Sequence, residues 1–397
     1  MVNNQVTNKL DIEALRRDTP GTENRIHFNN AGSALMTKQV LETVTNYLAL
    51  EAEIGGYEAE HAKHDEMEGF YSSVARLLNC SPEEIAFAES ATRAWDLAFY
   101  SLQFEPGDKI LTSAAEYGSN YIAFLQTARK RKVEIVVVPN DNFGQIDLSA
   151  LESMIDEKVR LIALTHVPTN GGLVNPAEAV GKIARKHGIM FLLDACQSVG
   201  QMVIDVEQIG CDFLSATGRK YLRGPRGTGF LYVRKERLAE IEPIFLDLHA
   251  AEWAARNSYT VREDARRFES WEQNYAGKLG LKAAVDYAIE LGMPNIEERI
   301  FALAAYLRQQ LATVDGVTLT DIGETKCGIV TFISERIPAK ELVEKFYAAQ
   351  INISSSSVFG TRLDMEERNL QPIARASVHY YNNESEIDRF CECLQKM

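Results

Sequence analysis

Seven short apolar segments follow one another between residues 84 and 233, and segments with helical periodicity separate them. They are "EIAFA" (84–88), "KILTS" (109–113), "VEIVVVP" (133–139), "RLIALTHV" (160–167), "MFLLDA" (190–195), "CDFLSAT" (211–217) and "GTGFLYV" (227–233). Their apolar residues are continuous rather than alternating, so each strand buries both faces, as in a largely parallel sheet with crossover helices. The repeated strand–helix alternation predicts an α/β fold.

The pattern changes after about residue 275. Two long amphipathic helices are followed by shorter strand and helix segments up to the last residue. A chain of 397 residues is also longer than one ordinary hydrophobic core requires. We therefore predict a large domain over residues 25–270 and a smaller α+β domain formed by residues 1–24 and 271–397.

Charge and composition argue against several classes of partner. The net charge of −14 disfavours nucleic acid and anionic membranes as partners. No apolar stretch approaches the roughly 20 residues that span a bilayer. The N-terminal residues lack the apolar core of a signal peptide, so we expect a cytoplasmic protein. His61 and His64 have acidic neighbours on every side, which favours a solvated helix face over a metal site.

Polar residues collect where the predicted strands end. In open parallel sheets, ligands bind at the carboxyl ends of the strands. The residues found at those ends are Ser90, Ala91 and Thr92 at the start of a helix, Tyr117, Thr169, Asn170, Asp194, Gln197, Thr217, Arg219 and Lys220. A phosphate site, an aromatic ring, an amide, a carboxylate and a lysine would thus meet at one edge of one sheet.

Each of these residues has a simpler interpretation when it is taken alone. Asp194 and Thr92 are ordinary helix-capping residues, Tyr117 could be half-buried packing, and a single lysine is usually exposed. Their combination is what pyridoxal phosphate requires. The cofactor needs a reactive lysine amine, a carboxylate for its ring nitrogen, a helix start for its phosphate and an aromatic ring against its pyridine. We therefore predict that Lys220 carries this cofactor covalently.

With these residues identified, the chain resembles the class V aminotransferase family of pyridoxal-phosphate enzymes, which have fold type I and include the cysteine desulfurases. The resemblance extends from "HFNNAGSALM" (27–36) to "RASVHYYNNESEIDRF" (375–390), and "LLDACQSVGQ" and "TGRKYLRGPRGTGFLYV" are its most specific parts. It implies a large domain with a mostly parallel sheet flanked by helices and a smaller C-terminal α+β domain.

The resemblance also implies a role for individual residues. Lys220 would be the Schiff-base lysine, Asp194 the partner of the ring nitrogen, Gln197 a contact to the phenolic oxygen, Ala91, Thr92 and Thr217 phosphate contacts, Tyr117 the stacking ring, Thr169 and Asn170 cofactor neighbours, Asn30 and Ala31 substrate contacts, and Arg375 the clamp on the substrate carboxylate. Tyr275 would reach the phosphate of the neighbouring subunit in a homodimer that binds a small amino-acid substrate.

Three positions depart from the family pattern. Arg219 stands where a histidine is usual, and we interpret it as a cofactor contact rather than a structural ion pair. Tyr117 replaces the stacking histidine of the desulfurases. The segment "SSSSVFGTRLDMEERNLQPIA" (354–374) has no cysteine, whereas desulfurases carry their nucleophilic cysteine there. These departures argue against a standard persulfide-forming desulfurase.

We therefore expect a C–S lyase that performs β-elimination on a cysteine S-conjugate or sulfoxide and releases the sulfur product, pyruvate and ammonia. "FNNAGSALM", "AEYGSN" and "HVPTNGGLVNP" resemble the branch of hercynylcysteine sulfoxide lyase and the isopenicillin-N-epimerase-like proteins. The alternative is an epimerase or aminotransferase with the same cofactor.

"GPRGTG" (224–229) superficially resembles a dinucleotide loop, but it precedes a strand rather than a helix. Four residues could either select an anionic or imidazole-bearing substrate or form surface ion pairs: Arg223, Arg226, His249 and Arg362.

Overall fold

The computed structural model describes residues 10–397. Residues 1–9 lie outside the described residues. The prediction of a cytoplasmic location rests partly on them, and the predicted small domain includes them. The strands are β1 (Ile26–His27), β2 (Ile85–Ala88), β3 (Lys109–Ser113), β4 (Glu134–Val138), β5 (Val159–Thr165), β6 (Met190–Asp194), β7 (Phe213–Thr217), β8 (Gly229–Val233), β9 (Ala251–Ala255), β10 (Ser258–Val261), β11 (Val317–Leu319), β12 (Ile329–Ser334), β13 (Ile351–Asn352), β14 (Ser354–Ser356) and β15 (Ile373–Ser377).

Helices connect most of these strands. The α-helices are α1 (Ile12–Arg17), α2 (Asn30–Ser33), α3 (Lys38–Ile54), α4 (Gly56–Ala62), α5 (His64–Leu78), α6 (Ala91–Ser101), α7 (Gly118–Arg131), α8 (Leu148–Ser153), α9 (Ala177–His187), α10 (Val206–Ile209), α11 (Lys235–Leu238), α12 (Tyr275–Leu291), α13 (Met293–Leu311), α14 (Ala339–Ala348), α15 (Arg362–Glu367) and α16 (Glu384–Gln395). Short 3₁₀ turns span Pro20–Glu23, Pro82–Glu84 and Ala265–Phe268.

The main sheet has seven strands in the order β2-β8-β7-β6-β5-β3-β4. Its central pairings, from β4 through β3, β5 and β6 to β7, are parallel, which confirms the predicted α/β class. The direction of β8 is an exception to this parallel arrangement. It runs antiparallel to both β7 and β2. The connection 218–228 contains no helix. It is too short for the crossover that a parallel neighbour would require.

Helices cover both faces of this sheet, which accounts for the continuous apolar segments. In β6, Leu192 packs into the core that contains Trp95 of α6, whereas Leu193 packs into the opposite core with Val180 of α9. Successive side chains on a strand point to opposite faces, so both must be apolar. Burying each such side chain contributes about 1.5–3 kcal/mol.

The C-terminal part contains a second, antiparallel sheet in the order β11-β12-β15-β14. The N-terminal strand β1 joins this end of the chain by pairing in parallel with β13. The domain boundaries at residues 24/25 and 270/271 stay a prediction. Sequence patterns did not indicate the β9–β10 hairpin, whose residues Trp253 and Tyr259 are exposed. Across residues 10–397, no helix combines the length and apolar character that crossing a bilayer would require.

Candidate active site

The strand ends of the main sheet meet at a single cavity. Thr165 at the end of β5 is the register partner of Asp194 at the end of β6, and Asp194 pairs with Ser215 of β7. The cleft beyond these ends has a volume of about 80 Å³. Ten of the residues singled out from the sequence line it: Ser90, Ala91, Thr92, Tyr117, Thr169, Asp194, Gln197, Thr217, Arg219 and Lys220.

Lys220 lies just beyond β7 and is only 9% exposed. Among residues 10–397, no oxygen atom accepts a hydrogen bond from its ammonium group. Burial lowers the pKa of Lys220, and the thiol of Cys196 opposes that effect. The positive charges of Arg219 and Arg375 lower this pKa further. Lys220 therefore spends more time as a neutral amine, the form that is nucleophilic.

Asp194 is held by two hydrogen bonds at the end of β6. Its Oδ1 accepts from the backbone N–H of Cys196 at 2.9 Å, and its Oδ2 accepts from Asn120 Nδ2 at 2.9 Å. Burial raises the pKa of Asp194, while these two donors and the charge of Lys220 oppose the rise. A carboxylate held in this way is suited to a protonated ring nitrogen.

Sequence reasoning missed the second carboxylate of this network. Glu116 Oε1 accepts hydrogen bonds from Asn120 Nδ2 and from the backbone N–H of Tyr117, both at 2.8 Å. Thr165 also donates to this carboxylate. Burial raises the pKa of Glu116 to about 7 despite these donors. Glu116 and Asn120 both lie in "AEYGSN", close to Tyr117 in the sequence. This closeness to a predicted site residue was the signal that could have identified them.

The N-terminus of α6 forms another wall of the cavity. Ser90 caps the helix, since its side chain accepts from the backbone N–H of Arg93 at 3.1 Å. Within the described part of the chain, no acceptor pairs with the backbone N–H groups of Ala91 and Thr92. Two free N–H groups at a helix start form a site for an anion such as phosphate. The Thr217 hydroxyl donates to the carbonyl of Thr228 at 3.3 Å and lines the same cavity.

Arg375 comes from β15 and approaches the cavity from the C-terminal sheet. Its Nε donates to Ser354 Oγ at 3.0 Å, and its Nη1 donates to the carbonyl and hydroxyl oxygens of Thr169. Burial lowers the pKa of Arg375 to about 10. No carboxylate of residues 10–397 forms an ion pair with it, so the guanidinium is available to an anionic ligand.

Two predicted cofactor residues lie elsewhere in this chain. The side chain of Asn170 turns away, and its Nδ2 donates to Thr361 Oγ1 at 2.8 Å and to the carbonyl of Ser357 at 3.3 Å. Tyr275 lines a separate groove with Tyr57 and Glu60. Contact between Tyr275 and a neighbouring subunit stays a prediction.

The two residues expected to contact substrate are engaged with the protein itself. Asn30 is fully buried, and its Nδ2 donates to the carbonyl of Ser377 at 2.7 Å. The carbonyl of Ala31 accepts from Gln197 Nε2 at 3.1 Å, which leaves Gln197 Oε1 buried without a partner. Arg219 donates to the carbonyl of Gly32. Asn30 and Ala31 therefore hold the loop before α3 against the cavity wall.

The four residues whose role was left open do not line the cavity. Arg223 is buried and donates to the hydroxyl of Tyr380 at 2.7 Å and to the carbonyl of Leu35 at 2.8 Å. The other three residues lie in different surroundings: Arg226 is exposed, Arg362 pairs with Glu366 at 2.6 Å, and His249 lies 3.2 Å from Glu269.

The cavity residues fit pyridoxal 5'-phosphate. Lys220 would hold its aldehyde carbon, Asp194 its ring nitrogen, and the free N–H groups of Ala91 and Thr92 its phosphate. The buried Oε1 of Gln197 also needs a partner. Together, this cavity and the sheet around it define a pyridoxal-phosphate enzyme of fold type I. The chain belongs to the aminotransferase class-V family, whose model matches residues 26–390.

Comparisons with known proteins agree with this family. The chain is 32% identical over 403 residues to a probable cysteine desulfurase of Xylella fastidiosa, covering 98% of this chain and 95% of that one. It is similar to the apo structure of a cysteine desulfurase from Thermococcus onnurineus NA1, with a TM-score of 0.90, 27% identity and 97% of each chain covered. A variant of a protein called C-DES, with glycine covalently linked to the PLP cofactor, shares the fold at 23% identity and a TM-score of 0.86, with 96% and 99% covered.

These relatives correct the predicted reaction. The expectation of a C–S lyase distinct from a desulfurase was wrong, because relatives and structural neighbours are named cysteine desulfurase. The segment 354–374 does lack a cysteine. That absence does not determine the reaction, because this cavity is assembled from several segments and another of them supplies a thiol, that of Cys196.

Proposed function

We propose that the protein is a cysteine desulfurase, an enzyme that removes the sulfur atom of L-cysteine and leaves L-alanine. The observation that carries this proposal is the joint position of Lys220 and Arg375. Lys220 is a buried amine with a lowered pKa, and Arg375 lies close enough to contribute to that lowering. The names of the curated relatives support cysteine as the substrate.

The bound cofactor supplies an aldehyde that binds the substrate amine and a protonated ring that withdraws electrons from the substrate carbon atoms. In the proposed reaction, Arg375 binds the substrate carboxylate through its planar guanidinium and so orients Cα. Lys220, as a neutral amine, would take the proton from Cα and later return a proton to the product. Asp194 keeps the ring nitrogen protonated.

Burial supports these roles. Asp194 and Gln197 are both buried, so water does not compete for their ligand. A hydrogen bond or ion pair is stronger in such surroundings than in water. Tyr117, whose backbone N–H is anchored by Glu116 and Thr165, provides the aromatic wall of the cavity.

The test has two parts. The purified protein with pyridoxal phosphate is expected to absorb visible light, and borohydride should link the cofactor to the peptide that contains Lys220. The Lys220→Ala variant should lose both signals, while Lys340→Ala, a change at an exposed lysine, should keep them. With L-cysteine, the protein should form alanine in equal amount to transferred sulfur. Formation of pyruvate instead of alanine would contradict the proposal.

We also propose that two copies of this chain form a homodimer. Helices α3 and α4 expose apolar side chains, with Leu48 52% and Tyr57 72% accessible. Both residues line the groove that contains Tyr275. A contiguous exposed apolar surface of this kind supports association, and members of this family are commonly dimers. Light scattering should give the mass of a dimer, and Tyr57→Glu should shift the protein towards the monomer.

A further inference from the structure

Six cysteines are distributed through the chain, and only one of them lines the cavity that contains Lys220. That residue is Cys196, which follows β6 and is partly exposed. The other five lie outside the cavity lining: Cys80, Cys211, Cys327, Cys391 and Cys393. Cys211 and Cys327 are fully buried, each with 0% of its surface exposed.

The proposed reaction requires an acceptor for sulfur. When cysteine becomes alanine, the bond between Cβ and sulfur breaks and Cβ gains a proton, so this carbon is reduced by two electrons. The sulfur atom must leave on a nucleophile, and a thiolate is suitable. A thiol plus cysteine gives a persulfide plus alanine. The two sulfur atoms of the persulfide together lose the two electrons that Cβ gains, so no other oxidant or reductant takes part.

The position of Cys196 meets this requirement. Its backbone N–H donates to Asp194 Oδ1 at 2.9 Å, which fixes the residue at the end of β6. Burial raises the pKa of the Cys196 thiol above its usual range and the Asp194 carboxylate adds to this rise, while Lys220 and Arg219 act in the opposite direction. A thiol beside two basic groups can pass its proton to the lysine and react as a thiolate.

Independent features show that this cavity is built for a ligand. Gln197 is 4% exposed, lines the cavity and has no hydrogen-bond partner at Oε1. Within residues 10–397, the ammonium group of Lys220 has no oxygen partner either, although it is more than nine-tenths buried. The Cys196 thiol therefore lines the same cavity as two buried polar groups that can bind a ligand, Gln197 Oε1 and the Lys220 amine. The thiols in the apolar cores do not line this cavity.

We propose that the thiol of Cys196 accepts the sulfur atom removed from the substrate cysteine. This inference rests on the proposed function and names its acceptor. The bond that forms joins Cys196 Sγ to the substrate sulfur, and the bond that breaks joins that sulfur to Cβ. A second thiol, small enough to enter the cleft, then attacks the terminal sulfur, carries it away as its own persulfide and returns the proton to Cys196.

Mass spectrometry of the pyridoxal-phosphate-loaded protein tests this inference. After brief incubation with L-cysteine and capture by an alkylating reagent, the peptide containing Cys196 should carry one additional sulfur atom, and the other cysteine peptides should not. Cys196→Ser should lose this product and form alanine at least about tenfold more slowly, while its visible absorbance and melting temperature stay near those of the wild type. The matched control Cys327→Ser should keep the persulfide.

A second measurement does not depend on turnover. In the cofactor-free protein, iodoacetamide should modify Cys196 before Cys211 and Cys327, because only Cys196 faces the open cleft. Equal or slower modification of Cys196 would overturn the inference. A persulfide on a different cysteine, or alanine formed at the wild-type rate by Cys196→Ser, would overturn it while leaving the proposed function in place. If the wild type forms no alanine from cysteine, the proposed function fails and this inference fails with it.

Discussion

Asn120 links two buried carboxylates, since its Nδ2 donates to Asp194 Oδ2 at 2.9 Å and to Glu116 Oε1 at 2.8 Å. Without this amide, Asp194 would keep only the backbone N–H of Cys196 as a hydrogen-bond donor, and the charge of Asp194 already raises the pKa of Glu116. Like charges at short distance disfavour the ionised form of both groups. The ionised form of Asp194, which its proposed contact with the cofactor ring nitrogen requires, therefore depends on a residue that does not itself line the cavity.

We expect Asn120→Ala to weaken cofactor binding and to lower kcat/KM by about tenfold, the effect of losing one hydrogen bond to a charged group. Titration with pyridoxal phosphate, followed by visible absorbance, measures the first effect. The control is Asn295→Ala, whose side chain donates only to the carbonyl of Leu291 at the end of α12. Wild-type affinity in Asn120→Ala would show that the amide does not support Asp194.

Glu116 should make the free energy of unfolding depend on pH. Its pKa is about 7 in the folded protein, against about 4.5 when unfolded, because burial disfavours its charge. Below pH 4.5 both states hold the proton and the group is not destabilising. Between pH 4.5 and 7 the unfolded state releases this proton while the folded state keeps it, so the free energy of unfolding falls by about 3 kcal/mol over this range and stays at the lower value above pH 7.

We therefore expect Glu116→Gln to be more stable than the wild type at pH 8, by up to about 3 kcal/mol, and nearly equal to it near pH 4.5. Glutamine preserves the geometry, since its oxygen can accept from Asn120 and Tyr117 while its amide donates to Thr112, which lies 3.0 Å away. Urea unfolding at the two pH values measures the difference. Glu366→Gln, at an exposed ion pair, should show no such trend.

Arg375 should determine substrate affinity. Arg375→Lys keeps the charge but loses the planar pair of donors, and Arg375→Ala loses both. We expect KM for cysteine to rise by about 10- to 100-fold in Arg375→Ala and less in Arg375→Lys, with a smaller change in kcat. Steady-state kinetics measure this difference. Arg362→Ala, which removes only a surface ion pair, should leave KM unchanged; an unchanged KM in Arg375→Ala would contradict the assignment.

Gly229, the first residue of β8, should tolerate no side chain. A Cβ there would lie 2.5 Å from the carbonyl oxygen of Ala216 and 3.1 Å from the backbone nitrogen of Ala91. Gly229→Ala must displace β7 or the start of α6, at a cost of about 1–3 kcal/mol. We expect a lower melting temperature and weaker binding of pyridoxal phosphate.

The control for this prediction is Gly56→Ala, where the nearest atom to the new Cβ would be a flexible Glu51 oxygen at 3.4 Å. Since that contact is ordinary, its melting temperature and cofactor affinity should match the wild type. If Gly229→Ala bound the cofactor as tightly as Gly56→Ala, the packing of β8 against α6 would not control the phosphate site.

The sequence by itself determined the class of fold and the edge of the sheet where the site lies. Continuous apolar segments require a sheet covered on both faces, and the ends of parallel strands meet at one edge, so Asp194 and Lys220 had to come near each other. Local residue order also located the helix start at Ala91. These features follow from neighbours along the chain.

Only the tertiary structure decided the rest. The amide of Asn170 turns towards Thr361, although its position in the sequence indicated a cofactor contact. Asn120 joins Glu116 to Asp194, and Cys196 rather than segment 354–374 brings a thiol to Lys220. Sequence spacing gives the distance along a strand or helix, but the direction of a side chain depends on packing against residues far away in the chain. That direction determines which groups meet.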